Sequence, residues 1–70
     1  MKLSARNQLT GTVKAIKEDQ IMAEITVALD GGQELVSVIT ASSAHRLDVK
    51  AGKKVTVVIK ATEVMLASDD

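Results

Sequence analysis

Apolar side chains recur at every second position through much of this chain, a period that suits β-strands and little else. In Ile21-Met22-Ala23-Glu24-Ile25-Thr26-Val27-Ala28-Leu29 every odd position is apolar and the even positions are mixed. That is the pattern of a strand with one face against a core. Leu9-Thr10-Gly11-Thr12-Val13-Lys14-Ala15-Ile16 alternates in the same way, and Gly11 within it predicts a bulge or sharp bend. Lys17-Glu18-Asp19-Gln20 reads as a polar turn joining the two segments into a hairpin. Asp30-Gly31-Gly32-Gln33 marks a second tight turn, because adjacent glycines tolerate the positive φ that hairpin turns demand. A third strand follows at Glu34-Leu35-Val36-Ser37-Val38-Ile39-Thr40. Thr40-Ala41-Ser42-Ser43-Ala44-His45-Arg46-Leu47 then offers hydroxyl caps, alanines and a closing leucine, which suit one or two helical turns. After a turn at residues 49–53, Lys54-Val55-Thr56-Val57-Val58-Ile59-Lys60 is a fourth strand, Glu63-Val64-Met65-Leu66-Ala67 a short fifth, and Ser68-Asp69-Asp70 a polar tail.

Three strands, a short helix between strands 3 and 4, and two further strands give the element order of an all-β, five-stranded OB-like Greek-key barrel. It would form one domain over residues 1–70. A domain of this size buries only about 60% of the surface that its unfolded chain exposes, so its core needs supplementing. The chain has no Cys and one His, which excludes disulfides and leaves too few ligands for a structural zinc. Nor is there any Phe, Trp or Tyr to fill the interior. Association between copies remains, and the strands point the same way. Leu35 and Ile39 stand opposite Val36 and Val38, and Val55, Val57 and Ile59 stand opposite Val58, so one apolar face is left for another subunit to cover.

Nine basic and nine acidic residues give no net charge. A nucleic-acid binder would carry a basic excess, and a single-strand binder of OB type would add aromatic stacking platforms. Met1-Lys2-Leu3-Ser4 lacks the apolar core of a secretion signal, and no apolar run reaches spanning length, so a cytoplasmic chain with no membrane partner is expected. Catalysis would need a nucleophile with its base, or paired carboxylates in a cleft. The serines share one histidine in a short surface helix, and Asp69-Asp70 lie in the tail, so no catalytic residues and no enzyme activity are expected. Met22 and Met65 suit core or interface positions better than metal ligation. Asp30-Gly31-Gly32 lacks the Lys-Ser/Thr and the helix of a phosphate loop.

Three segments carry a family likeness. Ser4-Ala5-Arg6-Asn7-Gln8 is followed by Leu9 and Gly11; Ile39 to Leu47 leads into the helix; and Ile59-Lys60-Ala61-Thr62-Glu63-Val64-Met65 closes the chain. In that order and spacing the sequence resembles, over nearly its whole length, the molbindins (the Mop family). These are small cytoplasmic molybdate-binding proteins whose domain recurs in molybdate-responsive regulators and transporter ATPases. The resemblance implies an OB-like barrel assembled as a homohexamer with oxyanions at subunit interfaces. It implies that the first segment of one subunit meets the Lys-Ala-Thr segment of another, with Ser4, Ala5, Arg6, Lys60, Ala61 and Thr62 as ligands. A second class of site near a threefold axis would involve Ser42, Ser43 or His45. Molybdate is the implied ligand and tungstate its alternative. A domain standing alone, with no DNA-binding or ATPase segment, would serve storage or homeostasis.

The residue types suit such an anion on physical grounds. Molybdate is a tetrahedral dianion that accepts hydrogen bonds at every oxygen, so it needs converging donors and compensating charge. Arg6 supplies a planar fork of donors, Lys60 a compact charge, Ser4 and Thr62 hydroxyls, and Ala5 and Ala61 small side chains that let backbone amides approach. Glu63 is discordant, though strand alternation would point it away from Thr62 and Val64. Taken singly, Ser4 and Asn7 read as turn residues, Arg6 and Lys60 as solvated charges, Ser42 or Ser43 as helix caps, and His45 as an exposed helix residue. The alternative function is a nucleic-acid- or protein-binding OB-like module without anion specificity.

Overall fold

In the computed structural model, which describes residues 1–69, the alternating segments form one four-stranded sheet in the order β3-β2-β1-β4. The strands are β1 (Asn7–Glu18), β2 (Met22–Leu29), β3 (Glu34–Thr40) and β4 (Lys54–Ile59), with helix α1 (Ala41–Arg46) between β3 and β4. Every pairing is antiparallel. The odd positions of β2 face inward as the period requires: Ala23, Ile25 and Val27 are buried, joined by Val13 of β1 and by Ala41 and Ala44 of α1. Three of these six are alanines, so the core is thin.

β1 is long because it serves two neighbours. Its later part, Gly11 to Glu18, pairs with β2, and its earlier part, Asn7 to Thr12, pairs with β4. The strand bends between them. The register slips between Val13 and Ala15, which leaves Lys14 as the extra residue of a β-bulge and frees its ammonium to pair with Glu34. The slip changes which positions face the core: Val13 lies opposite Val27, and Ile16 (not Ala15) opposite Ile25. The bulge therefore falls three residues beyond the expected Gly11. Gly11 has a different task, since a Cβ there would stand 2.5 Å from Val27 Cγ1 and 2.8 Å from the Ala28 carbonyl oxygen. Close approach of two backbones is what requires glycine at this point.

The connections follow from local chemistry. Asp19 Oδ1 accepts hydrogen bonds from the amides of Ile21 and Met22, both at 2.8 Å, closing the first hairpin with a shorter turn than the four polar residues suggested. These bonds, that from Met22 foremost, hold the Asp19 carboxyl below its ordinary pKa because they favour the charged form. Thr40 caps α1, its Oγ1 accepting from the Ser43 amide at 3.1 Å. The Ala41 amide donates to the Ile21 carbonyl at 2.7 Å, tying the helix to the first hairpin. Asp48, with φ of 55°, reverses the chain after the helix. The loop then returns to β1, where the Val13 amide donates to Lys53 and the Gly52 amide to Val13, each at 2.9 Å.

The fifth strand expected over residues 63–67 does not form. The chain leaves β4 into a single 3-10 turn, η1 (Ala61–Glu63). Beyond it no strand is formed, and Met65 and Leu66 are 91% and 94% exposed. A strand needs a hydrogen-bonded neighbour, and no edge within this chain takes up the segment. The expected five-stranded barrel is therefore a curled four-stranded sheet, left open between its edge strands. That opening is an apolar concavity lined in part by Ser37 and Ile39 of β3 and by Val55 and Val57 of β4. No helix among the described residues is long and apolar enough to cross a membrane.

Two consequences are measurable. Gly11→Ala should lower the free energy of unfolding by about 1–3 kcal/mol, because Val27 is branched at Cβ and the Ala28 carbonyl belongs to the ladder, so neither yields easily. An unchanged urea midpoint would contradict that packing. The native pKa of Asp19 lies below its unfolded value, so its bonds stabilise the fold above that value and are lost as pH falls through the native pKa. Wild-type protein should thus unfold at higher temperature than Asp19→Ala near neutrality, and the gap should close in acid below about pH 4. A gap independent of pH would contradict the assignment.

Candidate anion-binding site

The ladder between β1 and β4 ends at the pair Asn7 and Ile59. Past that rung the chain continues on one side as Arg6, Ala5 and Ser4 and on the other as Lys60, Ala61 and Thr62. These six residues line one cleft of about 320 Å³. They are the six ligand residues expected from the sequence. Here both walls belong to one chain.

Local structure opens the cleft. Lys60 is extended, with φ of −66° and ψ of 129°, and continues the line of β4. The 3-10 turn then lifts the chain away, with the Glu63 amide donating to the Lys60 carbonyl at 2.9 Å and that of Val64 to Ala61 at 3.4 Å. No side chain caps this turn, so its leading amides are the donors that the start of a helical turn leaves without an internal partner. On the opposite wall, Gln8 Nε2 donates to the Ala5 carbonyl at 2.8 Å. Across the last rung, Asn7 Nδ2 donates to the Ile59 carbonyl at 3.3 Å.

The electrostatics are one-sided. Arg6 and Lys60 bring two positive charges, and no carboxylate is among the lining residues. Five ion pairs are formed among the described residues, and neither Arg6 nor Lys60 takes part in any of them. Glu63 stays out of the lining, but strand alternation is not the reason, since it sits in the 3-10 turn. Arg6, Lys60, Ser4 and Thr62 therefore line a cleft to which no Asp or Glu contributes.

The second group of expected ligands lies on α1 and does not share this cleft. Ser42 Oγ is 3.3 Å from Thr40 Oγ1. Ser43 Oγ accepts from Thr40 Oγ1 at 2.8 Å and from Arg46 Nη2 at 3.5 Å. His45 Nε2 is 3.1 Å from Glu18 Oε2 at the far end of β1. Among the described residues no group of three or more His, Asp or Glu side chains could hold a metal ion. Asn7, which taken singly reads as a turn residue, and Gln8, noted only within the family-like segment, border the cleft through their amide hydrogen bonds.

The TOBE domain model matches residues 3–66, a span that includes both walls of the cleft. This chain belongs to the TOBE-domain family. Within the family it is similar over nearly its full length to molybdenum-pterin-binding proteins. Molybdenum-pterin-binding protein 1 of Clostridium pasteurianum is 44% identical over 66 residues, covering 94% of this chain and 97% of that protein. The high-resolution structure of a molybdate-binding protein from Sporomusa ovata matches with a TM-score of 0.90 at 44% identity, covering 97% of this chain and 100% of that one. A third neighbour is ModG, described as a cytoplasmic molybdate-binding protein and solved with molybdate bound. It matches with a TM-score of 0.83 at 48% identity over 87% of this chain, which spans 43% of ModG. These relatives are named for binding molybdenum-pterin or molybdate.

Because Arg6 and Lys60 are exposed and unpaired, Arg6→Ala and Lys60→Ala should each change the anion-free stability of the TOBE domain by less than about 0.5 kcal/mol. A larger loss in chemical denaturation would make these cations braces of the fold.

Proposed function

We propose that the cleft at the end of the β1–β4 ladder binds molybdate, with tungstate as a competing ligand, and that the protein holds this oxyanion for storage or homeostasis in the cytoplasm. One observation carries the reading: Arg6 and Lys60, free of carboxylate partners, line a single cleft with the hydroxyls of Ser4 and Thr62 and the small residues Ala5 and Ala61. Two cations match the charge of a tetrahedral dianion, and donors on opposite walls match its need for hydrogen bonds from several directions. Relatives named for molybdenum-pterin and molybdate binding support the choice of anion, and ModG, described as cytoplasmic, supports the compartment. The zero net charge and the lack of any aromatic residue speak against a nucleic-acid module.

The reading extends to a homo-oligomer, a hexamer by the family likeness, in which a neighbouring copy covers the open cleft. Two magnitudes support association. The chain exposes 5716 Å², against about 4,200 Å² for a compact monomer of its mass. Its radius of gyration is 13.0 Å, against about 11 Å for a compact chain of this length. The excess surface is of the order that a standard protein interface removes from each partner or more, and Met65, Leu66, Val36 and Val38 are part of it. Covering the cleft would also exclude water and strengthen the charge-assisted bonds to the anion. A second anion position at Ser42, Ser43 and His45 has less behind it. The Ser43 amide is committed to Thr40, and the Glu18 carboxylate beside His45 would repel an anion.

Calorimetric titration of anion-free protein with molybdate, tungstate and sulfate tests the proposal. Molybdate and tungstate should bind with similar affinity, and the smaller sulfate more weakly, because fixed donors reach it less well. Arg6→Ala should weaken molybdate binding by about 10- to 100-fold, since it removes charge-assisted hydrogen bonds. Equal affinity for sulfate would reduce the cleft to a generic anion site, and wild-type affinity in Arg6→Ala would move the anion elsewhere.

A further inference from the structure

The turn between β2 and β3 holds the one Asp-Gly step of the chain, Asp30-Gly31. Main-chain bonds fix the ends of this turn. The Gly32 amide donates to the Leu29 carbonyl at 2.9 Å, and the Leu29 amide to the Gln33 carbonyl at 2.7 Å. The first of these closes a β-turn and makes the Asp30–Gly31 peptide its central unit. The Gly31 amide makes no hydrogen bond among the described residues. Asp30 is exposed, and its carboxylate pairs only with the Lys54 ammonium, at 4.0 Å, which is beyond hydrogen-bonding distance. Gly31 has no side chain to screen its nitrogen, and a Cβ placed there would meet nothing within 4 Å.

We propose that Asp30 is a site of spontaneous covalent rearrangement to isoaspartate. The Gly31 nitrogen loses its proton to solvent and attacks Asp30 Cγ. The new N–C bond forms as a carboxyl oxygen leaves in a molecule of water, giving a cyclic succinimide. Water then adds back to one of the two ring carbonyls. Opening at Cγ restores aspartate, and opening at the main-chain carbonyl routes the chain through Cγ as isoaspartate. No oxidant or cofactor is consumed. The other aspartates followed by a described residue lack this combination. Asp19 precedes Gln20, and its Oδ1 is held by the amides of Ile21 and Met22. Asp48 precedes Val49, whose amide donates to the Ala44 carbonyl at 2.9 Å and whose branched side chain crowds the approach. Nor does the fold call for glycine at position 31. Positive φ belongs to Gly32 and Gly52, and close backbone approach to Gly11. Lys54 pairs with Thr12 at the end of the β1–β4 ladder opposite Asn7 and Ile59, so the inference stands apart from the reading of the cleft.

Ageing the folded wild-type protein at neutral pH in heavy-oxygen water tests the proposal, because each succinimide that reopens takes an oxygen from solvent. A protease that cuts before aspartate passes over isoaspartate. An uncut fragment spanning residues 19–47 should therefore accumulate with the heavy oxygen at residue 30. Gly31→Ala should slow labelling several-fold by screening the nitrogen, and its melting temperature should match that of the wild type because the added methyl group meets open space. Absence of label at residue 30 would overturn the proposal, as would label that appears only when the protein is unfolded in urea. Equal labelling at Asp19 or Asp48, or an undiminished rate in Gly31→Ala, would overturn it as well.

Discussion

The antiparallel ladder between β1 and β4 brings together parts of the chain that sequence keeps far apart. Its rungs run from Asn7 and Ile59 to Thr12 and Lys54. Closing so long a loop costs entropy, and the cost is met by contacts that the ladder makes possible. At the Thr12 end, the loop before β4 locks onto Val13 through two main-chain bonds, and Val55 and Val57 pack against the buried cluster. At the Asn7 end nothing continues the ladder, and the two backbones part. The cleft is the consequence of that parting. Its walls begin at the last rung, where the Asn7 and Gln8 amides add hydrogen bonds to the Ile59 and Ala5 carbonyls.

The protein puts like charges on both walls and provides no counter-charge among the described residues. A chain concerned only with its own stability would gain by pairing Arg6 and Lys60, as it pairs Lys14, Lys50, Lys53 and Lys54. Lys2, Lys17 and Arg46 also stand outside the ion pairs among the described residues, so what sets Arg6 and Lys60 apart is that they share one cleft with no carboxylate in its lining, which supports the proposed anion site. The same incompleteness marks the rest of the molecule. The sheet stops at four strands, its two edges are open, and the apolar segment that could have been a fifth strand extends into solvent. The proposed ligand site and the proposed subunit surface both lie outside a core that is thin, as a chain this small and free of aromatics makes it.

How much of this could be read from the residues depends on where the controlling partner lies. β2, β3 and the cap of α1 depend on near neighbours, and Ala23, Ile25 and Val27, the turn at Gly31-Gly32 and the Thr40 hydroxyl announce them. The bulge is less legible, because glycine is the conspicuous residue. The better signal is the adjacent apolar pair Ala15-Ile16, which breaks strict alternation and shows that the inward phase has shifted. The fifth strand fails for a physical reason: Val64-Met65-Leu66 has the composition of a strand, but pairing is decided by a partner edge and not by composition. The six cleft residues are found through family likeness. Taken singly they look like ordinary surface residues, and only the ladder register shows that the two ends of the chain adjoin. The contribution of Asn7 and Gln8 leaves no composition signal, since it consists of which carbonyl each amide reaches.

Diffraction from crystals grown with molybdate, recorded at the molybdenum absorption edge, tests the central claim most directly, because the anomalous signal locates the metal with no assumption about where the anion binds. The account predicts a strong molybdenum peak in the cleft between Arg6 and Lys60, within hydrogen-bonding reach of both walls. A molybdenum peak at α1 or elsewhere with that cleft empty would contradict it.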